Sequence, residues 1–216
     1  MEAKPRSPEE VYGPAQQAAQ RAFEQIDPVA VAARAGATYR SLDGGGGRLE
    51  VPFFGTVYSV GWPGGAVARV AGQQEADIAT RLILLHYLIT ADGTPLAGRW
   101  IAFRNLPGGL GYDGAFQGRA NLRLARAYGS QREPFEAAAR SLSGERLAFG
   151  DASFLFRLLP RVWLAVVLHL ADEEFPANAS VLFDASSEHY LPTEDLAVLG
   201  GMLASRLVKA GRQARN

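Results

Sequence analysis

An α+β fold with a mainly antiparallel sheet is what this chain predicts, on three observations. Strand-like and helix-like stretches come in blocks and not in strict alternation, which argues against a doubly wound parallel sheet. The stretch Glu75 to Thr90 carries Ile78, Leu82, Leu85 and Ile89 at helical spacing, and Ile83 and Leu88 widen the apolar face. A helix apolar on most sides belongs at the centre, packed on the sheet, with the other helices flanking it. Of the 216 residues, 48% are apolar, enough for a sizeable core. No linker-like stretch divides them, so the chain reads as a single α+β domain over 1–216, with N-terminal helices at 8–36 packed on it.

Each element has a local reason. Ser7-Pro8-Glu9-Glu10 opens a helix: a hydroxyl cap, Pro in the first turn, and acids at the positive end of the macrodipole. It is expected to run to about Gln25. Asp27-Pro28 repeats the signal and opens a short Ala/Val helix that stops at Gly36. Residues 37–42, 48–54 and 56–61 read as strands, with Asp43 and four glycines as a hairpin connection, and 66–70 as a further short strand. After the central helix, which ends at Asp92-Gly93, residues 99–106 alternate and read as a strand closed by Pro107-Gly108-Gly109. Residues 114–128 and 133–142 read as amphipathic helices. Residues 147–149, 154–159, 162–171 and 181–183 read as strands, the third well buried. Thr193 caps a last helix to about Ala210, with Glu194 and Asp195 in its first turn.

Composition excludes several function classes. Lys plus Arg and Asp plus Glu are equal at 22, so the formal net charge is zero. A non-specific nucleic-acid binder needs a basic excess to hold phosphates, and this chain has none. There is no cysteine, which removes disulfides, thiolate metal sites, cysteine nucleophiles and iron–sulfur ligation. The start, MEAKPRSPEEVYG, has no apolar signal-peptide core, and the longest apolar run, Val162 to Leu168, is too short to cross a bilayer. No membrane association and a cytoplasmic address are the default expectations. Lys4 and Lys209 are the only lysines, a bias that reads as GC-rich coding before it reads as function.

The most informative tract is Leu168 to Asp195. It holds Asp172, Glu173, Glu174, Asp184, Glu188, Glu194 and Asp195 with His169 and His189, and no Lys or Arg lies between Arg161 and Arg206. Phe175, Phe183 and Tyr190 can pack, so the tract reads as a folded acidic surface or pocket and not as a tail. Pro176 stops the strand before it. At least one of Asp172, Glu173 and Glu174 is therefore expected to face inward, held by hydrogen bonds, because a bare buried carboxylate is too costly. Ten arginines lie from Arg99 to Arg161, ahead of this tract, so Arg104 is expected to pair with Asp172, Glu174 or Asp184.

Other signals are weaker. Gly109-x-Gly111-x-x-Gly114 with Glu133 formally matches a dinucleotide fingerprint. The preceding strand carries Arg99 and Arg104, Pro107 breaks the turn and Asp113 would repel a pyrophosphate, so the glycines read as a plain loop. Arg119, Arg123 and Arg126 share one helix face and could clamp a carboxylate or phosphate, although a solvated face is the plainer reading. The histidines and acids of the tract have no compact ligand motif, so a buried, hydrogen-bonded histidine beside solvated carboxylates is expected, with no metal. No Gly-x-Ser-x-Gly elbow supports a serine hydrolase. His86 reads as a packed core histidine.

The stretches WIAFRNLPGG at 100–109, then Tyr112 and Phe116, then GDASFLFRLLPRVWLAVVLHLADEEFPANASVLFDASSEHYLPTED at 150–195 resemble the uncharacterised family named domain of unknown function 3786, of anaerobic bacteria and archaea. Asp-Glu-Glu-Phe-Pro-Ala, Leu-Phe-Asp and Leu-Pro-Thr-Glu-Asp are its most specific elements here. Some relatives carry a separate iron–sulfur segment similar to one in corrinoid and electron-transfer proteins; this cysteine-free chain carries none. The resemblance implies that the Arg104 to Gly109 loop, Asp172 to Ala177 and Asp184 belong together. It brings no established activity, and no cofactor is assigned.

The function read from this is a small-molecule or cofactor-binding protein of anaerobic metabolism, corrinoid or tetrapyrrole related on the strength of the resemblance alone. Arg104, Tyr112, Arg119, Asp172, Glu173, Glu174, Asp184 and His189 are the candidate ligand-binding residues. Two alternatives stay open. One is an enzyme with Asp172, Glu173 or Glu174 as general base beside Arg104. The other is an adaptor whose acidic surface docks a basic protein partner.

Overall fold

The computed structural model describes residues 8–213, in helices and two antiparallel sheets, an α+β fold. The expected cap at Ser7 lies outside the described residues. The chain forms two compact units, one reaching Thr94 and including His189–Leu191, the other made of Pro95–Glu188 and the chain from Pro192 on.

The first unit starts with α1 (Pro8–Glu24) and α2 (Pro28–Ala35). The carboxylate of Asp27 accepts hydrogen bonds from the backbone N–H of Val29 and Ala30, and Gly36 ends the helix at φ 65°, so both sequence signals act as expected. Strands β1 (Thr38–Ser41), β2 (Gly47–Phe53), β3 (Thr56–Trp62) and β4 (Ala66–Arg69) form an antiparallel meander in chain order. Strict alternation on β2 buries Leu49, Val51 and Phe53 on one face. The β2–β3 turn is tight, with Phe54 and Gly55 both at positive φ (49° and 75°), as a primed hairpin turn requires.

Helix α3 (Ile78–Thr90) starts three residues later than the apolar pattern suggests. Asp77 is its cap, accepting from Thr80 N–H and Thr80 Oγ1, while Glu75 stays outside and pairs with Arg81 at 2.8 Å. Leu84, Leu85, Tyr87 and Leu88 are fully buried. The helix packs on α1 and α2, and Tyr87 Oη donates to the Ala35 carbonyl at 2.5 Å. His86 is half-buried on this helix and is not the enclosed core histidine expected.

The second unit holds β5 (Trp100–Ala102), a 3-10 turn (Phe103–Asn105), helices α4 (Gly109–Arg119), α5 (Asn121–Tyr128) and α6 (Arg132–Ser141), then β6 (Glu145–Leu147), β7 (Ala152–Leu159), β8 (Val162–His169), β9 (Asn178–Asp184) and α7 (Thr193–Gln213). The sheet order is β5-β9-β8-β7-β6, antiparallel throughout. On β8, Leu164 to Leu168 are buried on both faces, matching its unbroken apolar run.

Two expectations change here. The strand at 99–106 is cut to three residues, because the chain turns at Phe103 to stack its ring on Phe116, centroids 4.3 Å apart. And α4 begins at Gly109, not at residue 114, so the glycines at 109, 111 and 114 lie inside a helix and form no loop at all. Helix propensity disfavours such a start. Packing overrides it: a side chain at Gly109 would collide with the Phe103 carbonyl.

Candidate functional site

The site is built where α4, α5 and α7 meet. Helix α7 approaches closely because Gly200 has no side chain; a Cβ there would lie 2.6 Å from the Phe116 ring. The helical path breaks at Ala120 (φ −116°, ψ −71°) between α4 and α5. Buried Asn121 holds that break in place. Its Oδ1 accepts from Val181 N–H of β9 at 2.9 Å, and its Nδ2 donates to Gln117 at 2.8 Å.

The result is a cleft of about 420 Å³, lined by Arg119 and Arg123 on one side and by Ala197, Val198, Gly201, Met202, Ser205 and Arg206 of α7 on the other. The α7 positions recur at helical spacing, so they form one face. Val198 and Met202 supply an apolar floor. Arg123 Nη1 donates to Ser205 Oγ at 2.7 Å, which fixes one guanidinium across the cleft. Among the described residues, no carboxylate lines it. The guanidinium groups of Arg119 and Arg123 can take a carboxylate or phosphate bidentately, while the floor covers an apolar body.

The sequence placed Arg119, Arg123 and Arg126 on one stripe. The break at Ala120 keeps the first two together at the cleft and leaves Arg126 exposed and outside it. The contribution of α7 was missed. The small residues Ala197 and Gly201, one turn apart beside Met202, were the available signal.

The remaining predicted residues do not converge. Arg104 is exposed on its 3-10 turn, and among the described residues no carboxylate pairs with it, so the expected ion pair is absent. The proposed general base beside it loses its geometric basis. Tyr112 is exposed on α4. Asp172, Glu173 and Glu174 are all exposed, so none is the expected inward acid. Asp172 instead closes its own turn, accepting from Glu174 N–H at 2.9 Å and Phe175 N–H at 2.6 Å. His169 is exposed too, not buried as expected.

The inward carboxylate is Asp184, 1% exposed at the end of β9. It accepts from Ala97 N–H (2.9 Å), Gly98 N–H (2.8 Å), Ser186 N–H (2.9 Å) and Ser186 Oγ (2.6 Å). Burial works against its charge, but the bonds from Ser186, Ala97 and Gly98 outweigh it and hold the carboxyl below its usual range. All its near partners are donors of the chain itself, so this carboxylate organises the loop into β5. Glu136 behaves alike: burial opposes its charge, and hydrogen bonds from Arg146 and Arg140 pull its carboxyl below the usual range.

His189 lies in the first unit. Its Nδ1 meets Asp92 Oδ2 at 2.7 Å and Thr94 Oγ1 at 3.3 Å. Hydrogen bonds from Thr94, then from His189, lower the Asp92 carboxyl from 3.8 to about 2. A depressed carboxyl contributes stability that is complete above pH 3.8 and lost as pH falls toward 2. Both side chains are over 40% exposed, so solvent limits the contribution to below about 1 kcal/mol. Asp92→Asn is therefore expected to melt slightly below the wild type at pH 5, with the gap closing by pH 2; a gap independent of pH would refute the assignment. Among the described residues, no group of three or more His, Asp or Glu could hold a metal ion, and no helix is long and apolar enough to cross a membrane.

Fold and cleft define an α+β protein with two antiparallel sheets and a cationic groove on its helical layer. Residues 27–206 match the family described as domain of unknown function (DUF3786), and the chain belongs to that family. No curated protein and no solved structure matches it.

Proposed function

We propose that this protein binds a small anionic molecule with an apolar body in the cleft between α4, α5 and α7. The observation that carries this reading is the lining: Arg119 and Arg123 beside Val198 and Met202, with no acid among the described lining residues. The volume, about 420 Å³, falls in the range of small-molecule sites, roughly 300–1,000 Å³. Tetrapyrroles, which carry carboxylates on an apolar ring system, are one member of the class and are the ligand that the family resemblance suggests. A cleft of this size grips an edge of such a molecule and does not enclose it.

The test is thermal shift against a panel of aromatic and aliphatic carboxylates, phosphate esters and a tetrapyrrole carboxylate. A ligand that binds the native state raises the melting temperature by mass action. Arg119→Glu and Arg123→Glu are each expected to weaken binding by roughly tenfold to a hundredfold, the value of a charge-assisted hydrogen bond. Variants that respond to every panel member as the wild type does would refute the site.

A further inference from the structure

We infer that the acidic turn at Asp172–Phe175 enters the arginine cleft of a second copy of this chain. Phe175, at the tip of the turn, is the most exposed aromatic side chain among the described residues, at 66%. Asp172, Glu173 and Glu174 precede it, all exposed, and no basic residue lies between Arg161 and Arg206 to neutralise them. The cleft has the opposite character: the guanidinium groups of Arg119 and Arg123, Val198 and Met202 as floor, and no lining acid among the described residues. An aromatic ring on an apolar floor with carboxylates against arginines is the pattern of an interface anchor, in which shape supplies affinity and charge supplies register.

The turn is preorganised for insertion. Asp172 accepts from Glu174 N–H and Phe175 N–H, and Asp172 N–H donates to the Phe175 carbonyl at 3.0 Å, so the tip is closed on itself before any contact. A closed tip loses little conformational entropy on docking. The same chain's cleft is not the receptor. Ala171 N–H is bonded to the Gly129 carbonyl, just past the C-terminal end of α5, whereas Arg123 lies in the first turn of that helix and Arg119 at the end of α4 before it. A second copy meets no such tether. Each copy then offers one knob and one cleft, and exchange between two copies satisfies both.

This inference rests on the reading of the cleft as an anion receptor, and the experiment separates the two. Sedimentation velocity is run over a concentration series on the wild type, on the loop variant Glu174→Lys/Phe175→Ala, and on Arg119→Glu. The wild type is expected to rise above the 23.2 kDa monomer with concentration and to fall back in high salt. Either variant alone is expected to stay monomeric, and an equimolar mixture to associate, because one keeps the cleft and the other keeps the loop. The loop residues are exposed, so that variant retains its fold and its thermal response to small anions. Loss of self-association with that response intact supports the exchange. A wild type that stays monomeric throughout, or a loop variant that associates like the wild type, overturns it; a loop variant that associates normally while Arg119→Glu loses anion binding overturns it and leaves the ligand site standing.

Discussion

Asp184→Ala is expected to lower stability by about 3 kcal/mol or more, against about 1.5–3 kcal/mol for Asp184→Asn. The carboxylate is 1% exposed and satisfies the N–H groups of Ala97, Gly98 and Ser186 and the Ser186 hydroxyl. Alanine leaves these donors without an acceptor, and an unsatisfied buried donor costs its full desolvation. Asparagine keeps the shape but points an NH₂ at a donor. Urea denaturation measures both. The pH dependence has a definite sign. The Asp184 carboxyl is held below its ordinary 3.8, so its contribution is complete above that pH and lost as acid protonates it. The deficit of Asp184→Asn should therefore shrink as pH falls below 3.8. By contrast Glu173→Gln, on an exposed side chain, should change stability by less than about 0.5 kcal/mol. A midpoint for Asp184→Ala equal to that of Glu173→Gln would mean that the loop into β5 does not depend on the carboxylate.

Leu85→Ala should cost about 2–5 kcal/mol, the range for a large-to-small change where the cavity cannot collapse. Leu85 is fully buried on α3 among Leu84, Tyr87 and Leu88, also fully buried. Its side chain lies close to Gly65, in contact range of the same pocket as Phe23 of α1. Collapse would have to move α1 or the turn at Gly65, which stands at φ 70° where a larger residue is strained. Chemical denaturation is the measurement. A midpoint within error of the wild type would show α3 to be peripheral.

The elements legible in the sequence are those whose causes lie within a few residues. Asp27-Pro28 and Gly36 bracket α2 through bonds to the very next backbone groups. Alternation on β2 and the unbroken apolar run of β8 needed only the pleat to be read. The α+β class followed from the blockwise order of such segments, and family membership from the Asp-Glu-Glu-Phe-Pro-Ala and Leu-Phe-Asp elements. What the sequence could not decide is which acid turns inward. Asp172, Glu173, Glu174 and Asp184 are alike as residues in one tract, and only the supply of donors distinguishes them. Ser186 supplies two of those for Asp184 from two positions away, and the other two come from Ala97 and Gly98, more than 80 positions away. The cleft is hidden for the same reason: Arg123 and Ser205 are 82 positions apart and meet only because Gly200 lets α7 close on Phe116. The start of α4 is set by packing and not by propensity, since glycines that disfavour a helix by themselves are held in one where Phe103 stacks on Phe116. Burial energy depends on what approaches from elsewhere in the chain, and that is a property of the tertiary structure alone.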